Sequence, residues 1–90
     1  MFVMPVYETF NIKTRSGPVA MGKIQSGSVA VGETLFLIGK TVTRKVKVVS
    51  IEKFQKVGLS SAGAGPEDVG IEIAGVNFKD VQRGDILMIQ

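Results

Sequence analysis

Three groups of residues in this 90-residue chain have types and spacings that could do chemistry. The first is Gly39-Lys40-Thr41, the tail of the pattern Gly-x-x-x-x-Gly-Lys-Ser/Thr, in which a glycine-rich loop cradles phosphate at the start of a helix. That pattern needs a glycine where Thr34 stands, and a β-branched run rather than a helix follows. The expectation here is a hairpin turn, with no nucleotide held in this way. The second group is the carboxylates Glu8, Glu33, Glu52, Glu67, Asp68, Glu72, Asp80 and Asp85. General acid–base work needs two carboxyls on a rigid scaffold with separated pKa values. The only adjacent pair, Glu67-Asp68, sits beside Pro66 in a stretch of loop character, so solvated acids are expected. The third group is Lys40, Arg44, Lys45, Lys47, Lys53 and Lys56, which hold 6 of the 11 basic residues. On a strand Lys45 and Lys47 share a face and Arg44 points the other way. Such a patch suits nucleic-acid phosphates, and equally suits a basic edge strand that resists sheet-to-sheet association.

What is missing narrows the field. With no cysteine and no histidine, the usual zinc and copper sites, thiol nucleophiles and Ser-His-Asp triads drop out. The net charge of +3 is too small to assign a nucleic-acid binder by itself. No basic segment or small-residue cleavage site follows Met1-Phe2-Val3-Met4-Pro5, and apolar runs such as Leu35–Ile38 fall far short of the ~20 residues of a membrane helix. The expectation is one cytoplasmic domain over residues 1–90, with no membrane association, no cofactor and no metal.

The elements that would position these groups are strands. Thirteen Val and eight Ile accompany 11 Gly, the composition of a β protein with many tight turns. Period-two alternation predicts strands over Val3–Ile12, Val19–Gln25, Thr34–Ile38, Val42–Ile51, Val69–Gly75 and Asp85–Gln90, with Val29–Val31 leading into the third. Lys13–Pro18 is an exposed loop, Gly58–Asp68 a mobile loop, and Val76–Arg83 a connection with one helical turn. In Val42–Ile51 the pairs Val46/Val48 and Val49/Ile51 lie on opposite faces unless a bulge near Val48-Val49 turns both inward. Ile71 and Ile73 should face inward and Glu72 outward. The sum is a small all-β barrel.

The order of several segments resembles the second domain of translational GTPases, as in elongation factor Tu and its relatives. Gly22-Lys23-Ile24-Gln25-Ser26-Gly27-Ser28-Val29-Ala30-Val31-Gly32-Glu33 is similar to that family's succession of glycine turns. Met4–Ile12 looks like its first strand, and Ser50-Ile51-Glu52-Lys53-Phe54-Gln55-Lys56 like its Ile-Glu-Met-Phe-Arg-Lys segment. Ala64-Gly65, Asp68-Val69-Gly70-Ile71 and Asp80-Val81-Gln82-Arg83-Gly84-Asp85-Ile86-Leu87 resemble its closing strands in order. The resemblance spans essentially the whole chain. It implies a six-stranded, closed, antiparallel, Greek-key-like barrel that sits beside a GTPase domain, helps hold the aminoacylated 3′ end of tRNA and touches the ribosomal small subunit. The chain itself has no phosphate loop and no Asn-Lys-x-Asp motif, so no GTPase activity is expected of it.

Carried over residue by residue, the resemblance puts Glu8, Phe10, Arg15 and Glu52 at the pocket for the terminal adenosine and amino acid. An aromatic ring there would stack a base, and a carboxylate would accept from ribose or amine. Arg44, Lys45 and Lys47 are the further RNA-binding candidates, toward ribosomal RNA. The chain departs from the family where Tyr7 replaces an acid, Gln55 an arginine and Asp68 an asparagine, and where the stretch from Phe54 to Val69 is longer by about two residues. Without a ligand, Phe10 would be core, Glu8 and Glu52 solvated, and Arg15 a loop charge. The expected function is non-catalytic RNA binding in translation. The alternatives are a protein-docking domain, favoured by the two-sided apolar strand Leu35–Ile38, and a piece of a larger translational GTPase.

Overall fold

A computed structural model describes residues 1–12 and 15–90. Among the described residues nine strands form: β1 (Phe2–Phe10), β2 (Val19–Gly22), β3 (Ser28–Ala30), β4 (Thr34–Ile38), β5 (Thr43–Lys53), β6 (Lys56–Leu59), β7 (Ser61–Gly63), β8 (Val69–Ala74) and β9 (Ile86–Ile89). One short 3₁₀ turn, Phe78–Asp80, lies before β9 where the single helical turn is expected. Six strands close into a ring in the order β1-β2-β8-β5-β4-β9, every neighbouring pair antiparallel. The expected six-stranded barrel is therefore the fold. β6 adds a hairpin to the end of β5, and β3 pairs with β7 as a small separate sheet.

β5 makes the closure possible. Its first half, Thr43–Lys47, pairs with β4, and its second half, Lys47–Lys53, pairs with β8. The register slips between Val48 and Ser50, a bulge at Val49 that bends the strand from one neighbour to the other. The bulge is where the sequence predicts it, but its result differs in one residue. Val46, Val48 and Ile51 are buried, whereas Val49, the extra residue of the bulge, stays half-buried. β1 behaves alike, pairing with β9 through Phe2–Pro5 and with β2 through Val6–Phe10, with a register slip between Val6 and Glu8. Inside the ring, Met4, Leu35, Leu37, Ile51, Ile71, Ile73 and Leu87 are fully buried.

Some expected boundaries move. β1 ends at Phe10 rather than Ile12, β2 ends at Gly22 rather than Gln25, and β5 continues past Ile51 to Lys53. The loop expected over Gly58–Asp68 contains the end of β6 and all of β7. Small residues make the β3–β7 contact close enough to ladder, with only Val29 and Ala62 buried beneath it, so it leaves no apolar alternation to read. The loop Lys13–Pro18 lies outside the described residues at Lys13 and Thr14.

Gly22 sits beside Val6 at the bend of β1, where an added Cβ would collide with the backbone carbonyl of Pro5. Gly65 has open space around it. Gly22→Ala should therefore lower unfolding stability by about 1–3 kcal/mol in urea titration, as overpacking does. Gly65→Ala should stay within about 0.5 kcal/mol. Equal effects at the two sites would contradict the close β1–β2 approach.

Candidate nucleic-acid interface

The second half of β5 and the ends of β1 and β2 surround a cleft of about 400 Å³. Phe10, Ile12, Val19, Met21 and Phe54 supply an apolar lining, and Glu52, Lys53 and Asp68 the polar groups. Phe54 sits at the β5–β6 turn, beside Gln55 at φ 60, and is 86% exposed. The turn geometry holds its ring outside the barrel, so it contributes nothing to the core. Phe10 is 43% exposed and also faces the cleft. An apolar recess with two accessible aromatic rings and carboxylates beside it is suited to a flat ring with polar edges.

The carboxylates around the cleft are all engaged. Arg15 donates through Nη2 to Glu52 Oε2 at 3.3 Å, and through Nη1 to Ser50 Oγ at 3.2 Å and Glu72 Oε1 at 3.4 Å. Glu72 also accepts the Ser50 hydroxyl at 2.8 Å and the Ser16 backbone N–H at 2.8 Å. Alternation places Glu72 on the outer face of β8, as expected, yet it is only 4% exposed because Arg15 and Ser16 cover it. Burial pushes its carboxyl upward, but the hydrogen bonds from Ser50, Ser16 and Arg15 outweigh that and hold it below its usual value. The negative charge of Glu52, then the bond to Glu72, raises the Arg15 guanidinium above its ordinary value. Gly70 faces Glu52 across the β5–β8 pair, where a Cβ would approach Glu52 Cγ to 3.2 Å. A larger residue there would displace the glutamate.

On the other rim Lys23 Nζ lies 2.7 Å from Asp68 Oδ1 and 5.5 Å from the centre of the Tyr7 ring. The Lys23 hydrogen bond, followed by Tyr7, keeps the Asp68 carboxyl below its ordinary value. Lys53 pairs with Glu67 at 3.3 Å. Glu67 and Asp68, expected as solvated loop acids, are exposed and tie their loop to β5 and to Lys23.

Of the residues singled out in the sequence, Phe10 and Glu52 line the cleft and Arg15 is bonded to Glu52. Glu8 is outside the lining and pairs with Arg83 at 3.3 Å. Lys45 and Lys47 share a shallow groove with Thr34, Ala74 and Gly75, and Arg44 lies on the other face, beside Asp80. Lys53, one of the clustered basic residues, also lines the cleft, whereas Phe54, Ile12 and Met21 are not marked by the sequence as site residues. The signal for Phe54 is local, an aromatic placed directly after a strand and before a turn; Ile12 and Met21 carry no such signal.

Glu72 sets an acid limit on the domain. A carboxyl held below its unfolded value adds stability above the ordinary carboxylate range and loses it as pH falls through the lower folded value. Glu72→Gln should flatten the acid limb of a stability–pH curve measured by chemical denaturation. At neutral pH, Glu72→Ala should cost about 1–3 kcal/mol by leaving the Ser50 hydroxyl proton and the Ser16 N–H without an acceptor and removing one of the partners of Arg15.

Two comparisons bear on what such a barrel is. The family profile "Elongation factor Tu domain 2" matches residues 17–88. The chain is also similar to translation elongation factor SelB from Methanococcus maripaludis in its apo form, at 38% identity and a TM-score of 0.81. That superposition takes in 96% of this chain and 18% of the factor, so the chain spans under a fifth of that protein's length. The match in fold and sequence together places the chain in the elongation factor Tu domain 2 family.

Proposed function

We propose that this domain is a non-catalytic RNA-binding barrel of a translation factor, and that the cleft at the end of β5 receives the aminoacylated 3′ end of tRNA. The cleft itself carries the reading. Phe54 is held almost fully exposed beside Phe10, and Glu52 is fixed in place by Arg15. A terminal base would stack against the rings, while Glu52 would accept hydrogen bonds from a ribose hydroxyl or an amine. Asp68, already neutralised by Lys23, would not repel a phosphate strongly. Lys45 and Lys47, side by side on the outer surface of β5, would meet the phosphates of tRNA or ribosomal RNA.

The test is a titration of an RNA hairpin with a single-stranded, aminoacylated 3′ end, by fluorescence anisotropy across salt concentrations. Phe10→Ala and Phe54→Ala should each weaken binding by about 5- to 150-fold, the loss of one stacking contact. Lys45→Glu with Lys47→Glu should reduce the salt dependence. Binding that ignores both aromatic substitutions would remove the cleft from the account.

A second reading follows from the outer surface of β1, β9 and β4. Val3, Met88 and Phe36 pair in one row across these strands, and Pro5, Ile86 and Ile38 in the next, all half-buried. This apolar patch on the outside of a barrel suits packing against a GTPase domain, either within a longer chain or as a separate partner. Sedimentation of the chain mixed with an isolated elongation-factor GTPase domain should yield a complex that Phe36→Asp abolishes. A strictly monomeric mixture would defeat the docking reading.

A further inference from the structure

A second concavity, about 440 Å³, opens between the β4–β5 turn and the segment leading into β9. It lies near the start of β5 and the cleft near its end, with the run from Arg44 to Glu52, at most about 25 Å along the strand at ~3.3 Å per residue, between them. Four cations line it: Lys40 on the turn, Arg44 on β5, and Lys79 and Arg83 before β9. Their positions in sequence are as far apart as 40 and 83, so only the pairing of β4 with both β5 and β9 assembles them.

Asp80 and Asp85 share this mouth, and both are committed to turns. Asp80 Oδ2 accepts the Asn77 N–H at 3.0 Å, and Asp85 Oδ2 accepts the Gln82 N–H at 2.9 Å. The cations are held more loosely. Arg44 reaches Asp80 Oδ1 only at 3.7 Å, the longest ion pair among the described residues. Arg83, 74% exposed, pairs with Glu8 across the rim. Lys40 and Lys79 have no ion-pair partner among the described residues. Four cations against Asp80, Asp85 and the Glu8 that pairs with Arg83 still leave a positive excess, and the apolar Leu37 and Val42 form part of its wall.

We propose that this mouth is a phosphate-binding site. Lys40 and Lys79 supply the primary charge, and Arg44 exchanges its long contact with Asp80 for paired hydrogen bonds to phosphate oxygens. The phosphate is either one of an RNA backbone or that of a small free anion. The site is separate from the aromatic cleft and stands without it.

Titration of the isotope-labelled protein with pyrophosphate, followed by amide NMR, tests the site. Saturable shifts are expected at Gly39, Thr41 and Gly84, with affinity falling roughly tenfold or more in the Lys40→Gln, Lys79→Gln double variant. A short oligoribonucleotide producing the same shifts assigns the site to RNA, and shifts with pyrophosphate alone assign it to a free anion. Phe10→Ala and Phe54→Ala should leave pyrophosphate affinity unchanged, which keeps failure of the cleft distinguishable from failure of the mouth. No saturable shift with either probe, or shifts indifferent to the double variant, would overturn the proposal.

Discussion

Closure of the barrel depends on a single strand serving two partners. β5 pairs with β4 at one end and β8 at the other, and only the bulge at Val49 lets it turn between them. Without that bend the β4 edge would be left open, and Leu35, Leu37, Val46 and Ile51 would not meet in one core. The same bend determines what β5 presents at its ends. Arg44 is delivered to one mouth of the barrel, and Glu52, Lys53 and then Phe54 to the opposite cleft. Fold closure and surface chemistry are thus consequences of the same extra residue.

The electrostatics follow from that frame. Glu72 lies on the outer face of β8, opposite Ser50 of β5, and would be a solvated acid if nothing covered it. Arg15 covers it and in doing so reaches Glu52, so the loop ahead of β2 is anchored to the strand that forms one wall of the cleft. A carboxylate oriented by an arginine and backed by a glycine loses little side-chain entropy when it meets a ligand. The mouth is arranged in the opposite sense. Its acids are spent on capping turns, while Lys40 and Lys79 have no carboxylate partner among the described residues. The cleft is preorganised and the mouth is adaptable, which suits shape-specific contact in one place and charge-driven contact in the other.

Much of the barrel was legible in the sequence because alternation and glycine turns are local signals. The bulge was readable too, since Val46/Val48 and Val49/Ile51 conflict on a straight strand. The β3–β7 ladder was not, because Ser61-Ala62-Gly63 pairs through its backbone and has almost no side-chain pattern. Among the residues lining the candidate cleft, Phe10 and Glu52 are singled out by the family resemblance and Phe54 is not. The mouth was invisible for a different reason. Lys40 and Arg44 lie together in sequence, but Lys79 and Arg83 join them only through strand pairing, which one-dimensional spacing does not encode.

Of the residues that set this chain apart from the pattern of its family, Asp68 lines the cleft, Tyr7 lies beside it, and Gln55 follows Phe54 at the β5–β6 turn. A missing arginine at Gln55 and an added acid at Asp68 would each make the cleft less welcoming to an anion. Lys23 offsets the second change, pairing with Asp68 at 2.7 Å while lying over the Tyr7 ring. Gln55 itself takes up φ 60 in the turn directly after Phe54, whose ring is exposed. The cleft therefore offers more aromatic surface than free charge. Lys45, Lys47, Lys40 and Arg44 stand away from the cleft, along β5 and at the far mouth. Aromatic surface and positive charge are in this way set apart along β5, with Lys45 and Lys47 on its outer surface and Phe54 just past its end.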